Sequence, residues 1–129
     1  MRGADVDDAA GQLGLVGGHV EDVAEGRGVL EATARREAAE EVGLDLSGVE
    51  LVYLESELFT TDAGAGQVTV AFVARAPDGA EPRAADPVEV AAVGWWTIDE
   101  AAAEPRCPAW LPGLLRRGAQ RLPPSTPEA

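Results

Sequence analysis

The residues best suited to chemistry lie in one run, Arg36-Glu37-Ala38-Ala39-Glu40-Glu41-Val42-Gly43-Leu44. From Val29 to Val42 there is no internal Pro or Gly, and Ala, Glu, Leu and Arg dominate. These are good helix formers, so the run is predicted to be helical. At about 100° per residue, Glu37 and Glu41 lie roughly 40° apart around the helix, and Glu40 sits about 60° on the other side of Glu37. Three carboxylates therefore leave the helix from one side. Unpartnered, the like-charged i,i+4 pair costs a few tenths of a kcal/mol. A hard divalent cation that prefers oxygen ligands, Mg²⁺ or Mn²⁺, turns that repulsion into binding. Leu30, Ala34, Ala38 and Val42 form the adjoining apolar stripe, which puts the acids at the edge of a buried face. The alternative is a solvated acidic helix face with no ligand.

The context of the run favours a site. Gly17-Gly18-His19-Val20-Glu21, followed by the helix and its Arg36-Glu37-x-x-Glu40-Glu41-x-Gly43-Leu44 phrase, resembles the box of the Nudix hydrolase family. That box reads G-x5-E-x7-R-E-U-x-E-E-x-G-U, with U aliphatic, and Ala38 takes the first aliphatic slot. Two positions depart from it. Arg36 follows Gly18 by eighteen residues where the family has fourteen, so four extra residues sit between them. The family glutamate eight residues before the arginine is replaced by Gly28, with Glu25 and Glu31 the nearest acids. Asp22–Gly28 reads as a Gly-punctuated loop from which Glu25 could supply the missing carboxylate.

The resemblance implies a Nudix-type α/β/α sandwich with a mixed sheet over roughly residues 2–122. It also implies hydrolysis of a phosphoric anhydride in a nucleoside diphosphate linked to another moiety, such as a nucleoside triphosphate or nucleotide sugar. On that reading Glu37, Glu40, Glu41 and the Gly18 carbonyl are the expected metal ligands for Mg²⁺ or Mn²⁺. Arg36 orients a carboxylate, or forms a simple surface ion pair. Glu41, Glu37 or Glu89 serves as general base. Glu89 enters because Asp86-Pro87-Val88-Glu89-Val90 looks like the family's acidic residue ahead of an aromatic-bearing strand; an ordinary loop acid is the alternative. His19 either contacts substrate or belongs to the loop. A second functional class is a Nudix-fold nucleotide-binding or regulatory module with weakened catalysis. A third is an unrelated α/β domain with an acidic helix.

Composition narrows the partners. The 129-residue chain carries 23 acids against ten bases, a formal charge of −13, and all ten bases are Arg. Such a chain is a poor ligand for polymeric nucleic acid or an anionic membrane surface, both of which reward clustered positive charge. Small phosphorylated molecules remain accessible if metal ions supply the positive charge. No eighteen-residue apolar run and no basic-then-apolar leader occurs. Cys107 is the only cysteine, so there is no internal disulfide, and a reducing cytoplasm is the simplest compartment. With no His/Asp partner near it in sequence, Cys107 is not read as a nucleophile.

The elements that must position these residues follow the helix in the order strand, strand, strand, helix, within a single domain over 1–122. Val49–Phe59 and Gln67–Arg75 are predicted to form a hairpin, with Val68, Val70, Phe72 and Ala74 on one side of the second strand. Val90–Ile98 reads as a third strand, in which Trp95 and Trp96 face opposite ways, one into the core and the other either free to stack on a nucleobase or part of a second layer of core. Asp99 is expected to cap a short helix, and Ala109–Leu122 to form a longer one interrupted at Pro112 and Gly113. Residues 123–129 are expected to be a disordered Pro-rich tail.

Sixteen residues precede Gly17, and the first strand or strands of the sheet are expected to be missing, with Met1–Asp5 the tail of one. Leu13-Gly14-Leu15-Val16-Gly17-Gly18 stands where the family has Trp-x-Leu-Pro-Gly-Gly. A missing strand leaves a sheet edge exposed. The true start then lies upstream, or a homodimer partner covers the edge, or the fold is compromised.

Overall fold

Why the chain bends where it does is clearest at the ends of its first helix. In the computed structural model, which describes residues 12–20, 26–88 and 90–122, α1 spans Val29–Val42 as the composition predicts. Gly28 precedes it at φ 69°, and Gly43 follows it at φ 68°. Both are left-handed, a conformation that costs other L-residues roughly 1–2 kcal/mol. At the C-terminal end the Gly43 and Leu44 amides return to the carbonyls of Ala39 and Ala38. Two further carbonyls, of Glu41 and Val42, accept from the amides of Ala85 and Arg83, each at 2.9 Å. The last turn is thereby satisfied by glycine-permitted backbone and by a distant loop. The Arg83 side chain packs over Gly43, where an added Cβ would lie 2.8 Å from its Nε.

β1 (Val52–Thr60) and β2 (Gly66–Val73) form the predicted antiparallel hairpin. Its turn is closed by the Thr61 amide to the Ala65 carbonyl at 2.8 Å, with Gly64 at φ 87°. The register is continuous from Thr60↔Gly66 to Glu55↔Ala71, then shifts at Leu54 before resuming at Tyr53↔Phe72. The shift turns Glu55 onto the same face as Val73. On that face α3 (Leu111–Arg121) is held by two bonds from Arg117 to Glu55, Nε to Oε1 at 2.6 Å and Nη2 to Oε2 at 3.2 Å. Arg121 adds a bond to the Tyr53 carbonyl at 3.2 Å. Gly118 lets α3 approach Val73 and Leu54. The expected mixed sheet is represented among the described residues by this hairpin, with α3 across both strands and α1 against β2.

The small core joins Leu13, Ala101 and Leu111, flanked by Cys107 and Leu115. α2 (Ile98–Ala103) brings Ala101 into it. The Leu13 amide bonds the Arg106 carbonyl at 3.0 Å, which ties the segment before Gly17 to the α2–α3 connection.

Several expectations are corrected. Val90–Ile98 is not a strand: Val90 makes an isolated bridge, 91–97 are irregular, and Ile98 already begins α2. A strand needs a neighbour for its backbone hydrogen bonds. The only sheet among the described residues is β1–β2, and Gly94 further weakens an extended run. Trp95 and Trp96 consequently do not divide between core and surface; they are 58% and 44% exposed. The cap of α2 is Thr97, not Asp99: its hydroxyl accepts from the Glu100 amide at 3.0 Å, while the Thr97 amide donates to Glu100 Oε1 at 2.9 Å. α3 is not interrupted, because Pro112 falls in its first turn, where no intrahelical donor is lost. Residues 123–129, Met1–Asp5 and most of the Asp22–Gly28 loop lie outside the described residues.

Candidate functional site

The carboxylates of α1 have three different environments, set by their angles on the helix. Glu41 points inward with the apolar stripe and is 5% exposed. Its Oε2 accepts a hydrogen bond from the Gly17 amide at 3.3 Å. Glu37, one turn earlier on nearly the same face, has a side chain only 12% exposed. Its carboxylate lies directly against Gly18, so that an added Cβ at Gly18 would overlap it. Glu40, about 100° around the helix from Glu41, has a side chain 56% exposed and turns to solvent.

Arg36 joins these pieces. Its guanidinium lies 3.1 Å from Glu37 Oε1 and 3.6 Å from Glu40 Oε2, and its Nη2 donates to the His19 carbonyl at 3.3 Å. The Gly17–His19 segment is therefore bonded to α1 at Gly17 by Glu41 and at His19 by Arg36, with the Glu37 carboxylate packed against Gly18 between them. His19 belongs to this loop: its carbonyl holds Arg36, and its Nε2 lies 3.3 Å from the Gln67 amide nitrogen at the start of β2.

Glu37, Glu40 and Glu41, expected together as metal ligands, differ in exposure, with Glu40 the outermost of the three. No group of three or more His, Cys, Asp or Glu side chains among the described residues is arranged to hold a metal ion. Glu37 and Glu41 meet at the Gly17–Gly18 backbone, while Glu40 is drawn aside by Arg36. The donors that do meet are carboxylates beside a glycine backbone, oxygen chemistry that suits a hard divalent cation. Glu89 and Glu25 lie outside the described residues. Gly28 is the left-handed entry to α1, and a Glu31 carboxylate oxygen lies 3.5 Å from where its Cβ would be.

Glu41 also lines a small cavity of about 50 Å³ with Leu15, Val16, Val90 and Val93. Val93 borders a second, wider cavity of about 300 Å³ lined by Ala92, Gly94, Trp95, Trp96 and Glu100. Sequence reading did not foresee that the two tryptophans and the α2 cap share this hollow. The Thr97-Ile98-Asp99-Glu100 spacing, which fits a capping box, was the available signal. Cys107 is half-buried beside the Leu13–Leu111 core, with its thiol directed to the Pro108 carbonyl.

No helix among the described residues is long and apolar enough to cross a membrane. Comparison with curated proteins and with solved structures gave no match. The family model described as NUDIX domain matches residues 2–117, a span that contains the glycine loop, α1, the hairpin and most of α3, and on that match the chain belongs to the Nudix family.

Proposed function

We propose that the protein is a divalent-metal-dependent hydrolase of the phosphoric anhydride bond in a nucleoside diphosphate linked to another moiety. Membership of the Nudix family supports pyrophosphohydrolase chemistry in general. The observation that carries the finer reading is the fastening of Gly17–His19 to α1 by Glu41, Glu37 and Arg36. A scaffold that needed only a solvated acidic helix would not bury two of its glutamates against a glycine backbone.

In this reading Glu37, Glu41 and the Gly18 carbonyl hold Mg²⁺ or Mn²⁺, with Glu40 as an outer ligand. The cation supplies charge neutralisation for the diphosphate and activation of the attacking water. The chain does the rest. Arg36 fixes the Glu37 carboxylate and the loop carbonyl, so neither must reorganise when substrate arrives. Glu37, Glu41 or Glu89 accepts the proton of the attacking water. The substrate is a small nucleotide, since a charge of −13 gives no purchase on a nucleic-acid polymer.

A second reading, a binding or regulatory module with weakened catalysis, is favoured by one specific feature. Gly28 stands at the family's glutamate position in a left-handed conformation that a glutamate would occupy only with strain. A panel of nucleoside triphosphates, nucleotide sugars and dinucleoside polyphosphates, assayed for Mg²⁺-dependent release of phosphate, pyrophosphate or mononucleotide, separates the two. Turnover that disappears in Glu37→Gln supports the hydrolase. Nucleotide binding without turnover of any member supports the module.

A further inference from the structure

Gly17 and Gly18 follow one another in the segment that meets the Glu37–Glu41 turn, and glycine loses more conformational freedom on ordering than any other residue. α1 supplies two bonds to that segment, the Glu41 carboxylate to the Gly17 amide and the Arg36 guanidinium to the His19 carbonyl, both at 3.3 Å. Both are long for N–H···O bonds. A further contact comes from the hairpin. Gln67 Nε2 lies 3.3 Å from His19 Nε2, across 48 positions of sequence. Gln67 is half-buried, and its backbone is paired opposite Phe59, one residue into β2 from the hairpin turn. A side chain based on a paired strand holds its partner more precisely than one based on a loop.

The atoms in this contact set its direction. An amide nitrogen donates and does not accept, so Gln67 is the donor and Nε2 of the neutral ring is the acceptor. The ring proton then sits on Nδ1, because the bond made by one ring nitrogen decides which nitrogen is protonated. We propose that Gln67 is a positioning residue for the Glu37–Glu41 site: it holds the His19 ring from β2, and through His19 it keeps the Gly17–His19 backbone seated on α1. The assignment rests on the hydrolase reading of that site and adds the hairpin as a support of the loop beside the carboxylates. The link has few steps. Gln67 fixes the ring, and the same residue's carbonyl takes Arg36 Nη2, the nitrogen that also lies 3.1 Å from Glu37 Oε1. A loop released from β2 is seated for a smaller fraction of the time. A cation that needs the seated arrangement then binds with an affinity reduced by that fraction.

The test begins with the full chain and no metal. His19 is the only histidine in the sequence, so a long-range proton–nitrogen correlation spectrum at alkaline pH reads a single imidazole. The expected result is an unprotonated Nε2 in the wild type. Gln67→Glu, which offers an acceptor at the same reach, should move the proton to Nε2 and leave the Gly18 and His19 amides as ordered as in the wild type by backbone nitrogen relaxation. Gln67→Ala should lose the preference for Nδ1–H and leave both amides more mobile. With Mg²⁺ added, Gln67→Ala should need about three- to tenfold more cation for half-maximal turnover, the scale of one lost hydrogen bond, while the nucleotide KM at saturating Mg²⁺ stays within about twofold. Mere loss of folded protein would lower the rate at every Mg²⁺ concentration and leave the half-maximal point alone. A protonated Nε2 in the wild type, unchanged amide mobility in Gln67→Ala, or an unchanged Mg²⁺ requirement would each overturn the proposal. A wild type that turns over no nucleotide removes the hydrolase reading, and the ring and amide signals still decide whether Gln67 seats the loop.

Discussion

Gly17 and Gly18 are neighbours in sequence and opposites in space, and replacing each with alanine separates structure from chemistry. Neither has a positive φ, so neither substitution strains the backbone. A Cβ at Gly17 meets nothing within 4 Å. Gly17→Ala should therefore be neutral, or stabilising by about 0.4–1 kcal/mol through reduced freedom of the unfolded chain. A Cβ at Gly18 falls roughly 1 Å short of ordinary van der Waals separation from the Glu37 carboxylate. The obstacle is the end of a flexible side chain, so Glu37 can move. Moving it off its rotamer costs about 0.5–1.5 kcal/mol, and loosening its ion pair with Arg36 costs about 0.2–1 kcal/mol at this exposure. The same unfolded-state gain offsets part of both. Net stability should change by only about 1 kcal/mol. Activity should respond differently, because a group misplaced by about 1 Å can cost about a hundredfold in rate. The assay is urea unfolding of both variants beside Mg²⁺-dependent turnover of the best nucleotide from the panel. If Gly18→Ala turns over as fast as Gly17→Ala, the Glu37 carboxylate is not where the chemistry happens, and the proposed site is wrong.

Three further outcomes are expected. Mg²⁺ or Mn²⁺ should raise the melting temperature by mass action; Glu37→Gln should remove most of that gain and outward-facing Glu40→Gln less, and equal shifts in wild type and Glu37→Gln would remove the metal-site reading. Gly43→Ala should destabilise by more than the roughly 1–2 kcal/mol of a left-handed alanine, because Arg83 must also move, whereas Gly118→Ala, with its nearest neighbour at 3.6 Å, should lie within about 1 kcal/mol of wild type; chemical denaturation decides both. The lowered pKa of Glu100 means that the ionised carboxylate is favoured in the folded state. Its stabilisation is present above the unfolded value of 4.5 and is lost as pH falls through the folded value. Glu100→Ala should flatten acid unfolding in that window, and an unchanged profile would deny the capping box its role.

The parts of this molecule that were legible in its sequence are those fixed by local chemistry. α1 has its predicted limits because a run of strong helix formers lies between Gly28 and Gly43. The hairpin is as expected because alternation and a Gly-containing turn agree. Glu37 and Glu41, four residues apart, lie on one side of α1 because helix periodicity puts them there. Periodicity could not say which carboxylate faces in. A fan of roughly 100° contains both the buried Glu41 and the exposed Glu40, and only packing against Gly17–Gly18 distinguishes them. Val90–Ile98 failed for a related reason. Its residues favour extended structure, but a strand is completed by its neighbour, and among the described residues 91–97 run beside neither free edge of the β1–β2 hairpin as a paired strand. The contacts of Arg83 with Gly43 and Arg117 with Glu55 span 40 and 62 positions, a separation at which sequence pattern carries no information about pairing.

The departure at Gly28 has a structural consequence at the entry to α1. Helix α1 starts where Gly28 turns left-handed, and the Gly28 carbonyl already accepts the first helical bond, from the Ala32 amide at 2.9 Å. A glutamate there would carry the strain of a left-handed side chain, about 1–2 kcal/mol, before offering any ligand. Restoring the family residue alone therefore asks the helix entry to change as well. Glu31, in the first turn, instead places its carboxylate beside Gly28, where the positive end of the helix dipole favours a negative charge by up to about 1 kcal/mol. The chain thus keeps an acid near the position at which the family has one, but attaches it three residues later and brings it back over a glycine. A left-handed glycine and a recurved first-turn glutamate are each weak signals in sequence. The Glu37–Glu41 turn is held separately, by the bonds of Arg36 to the His19 carbonyl and of the Gly17 amide to Glu41.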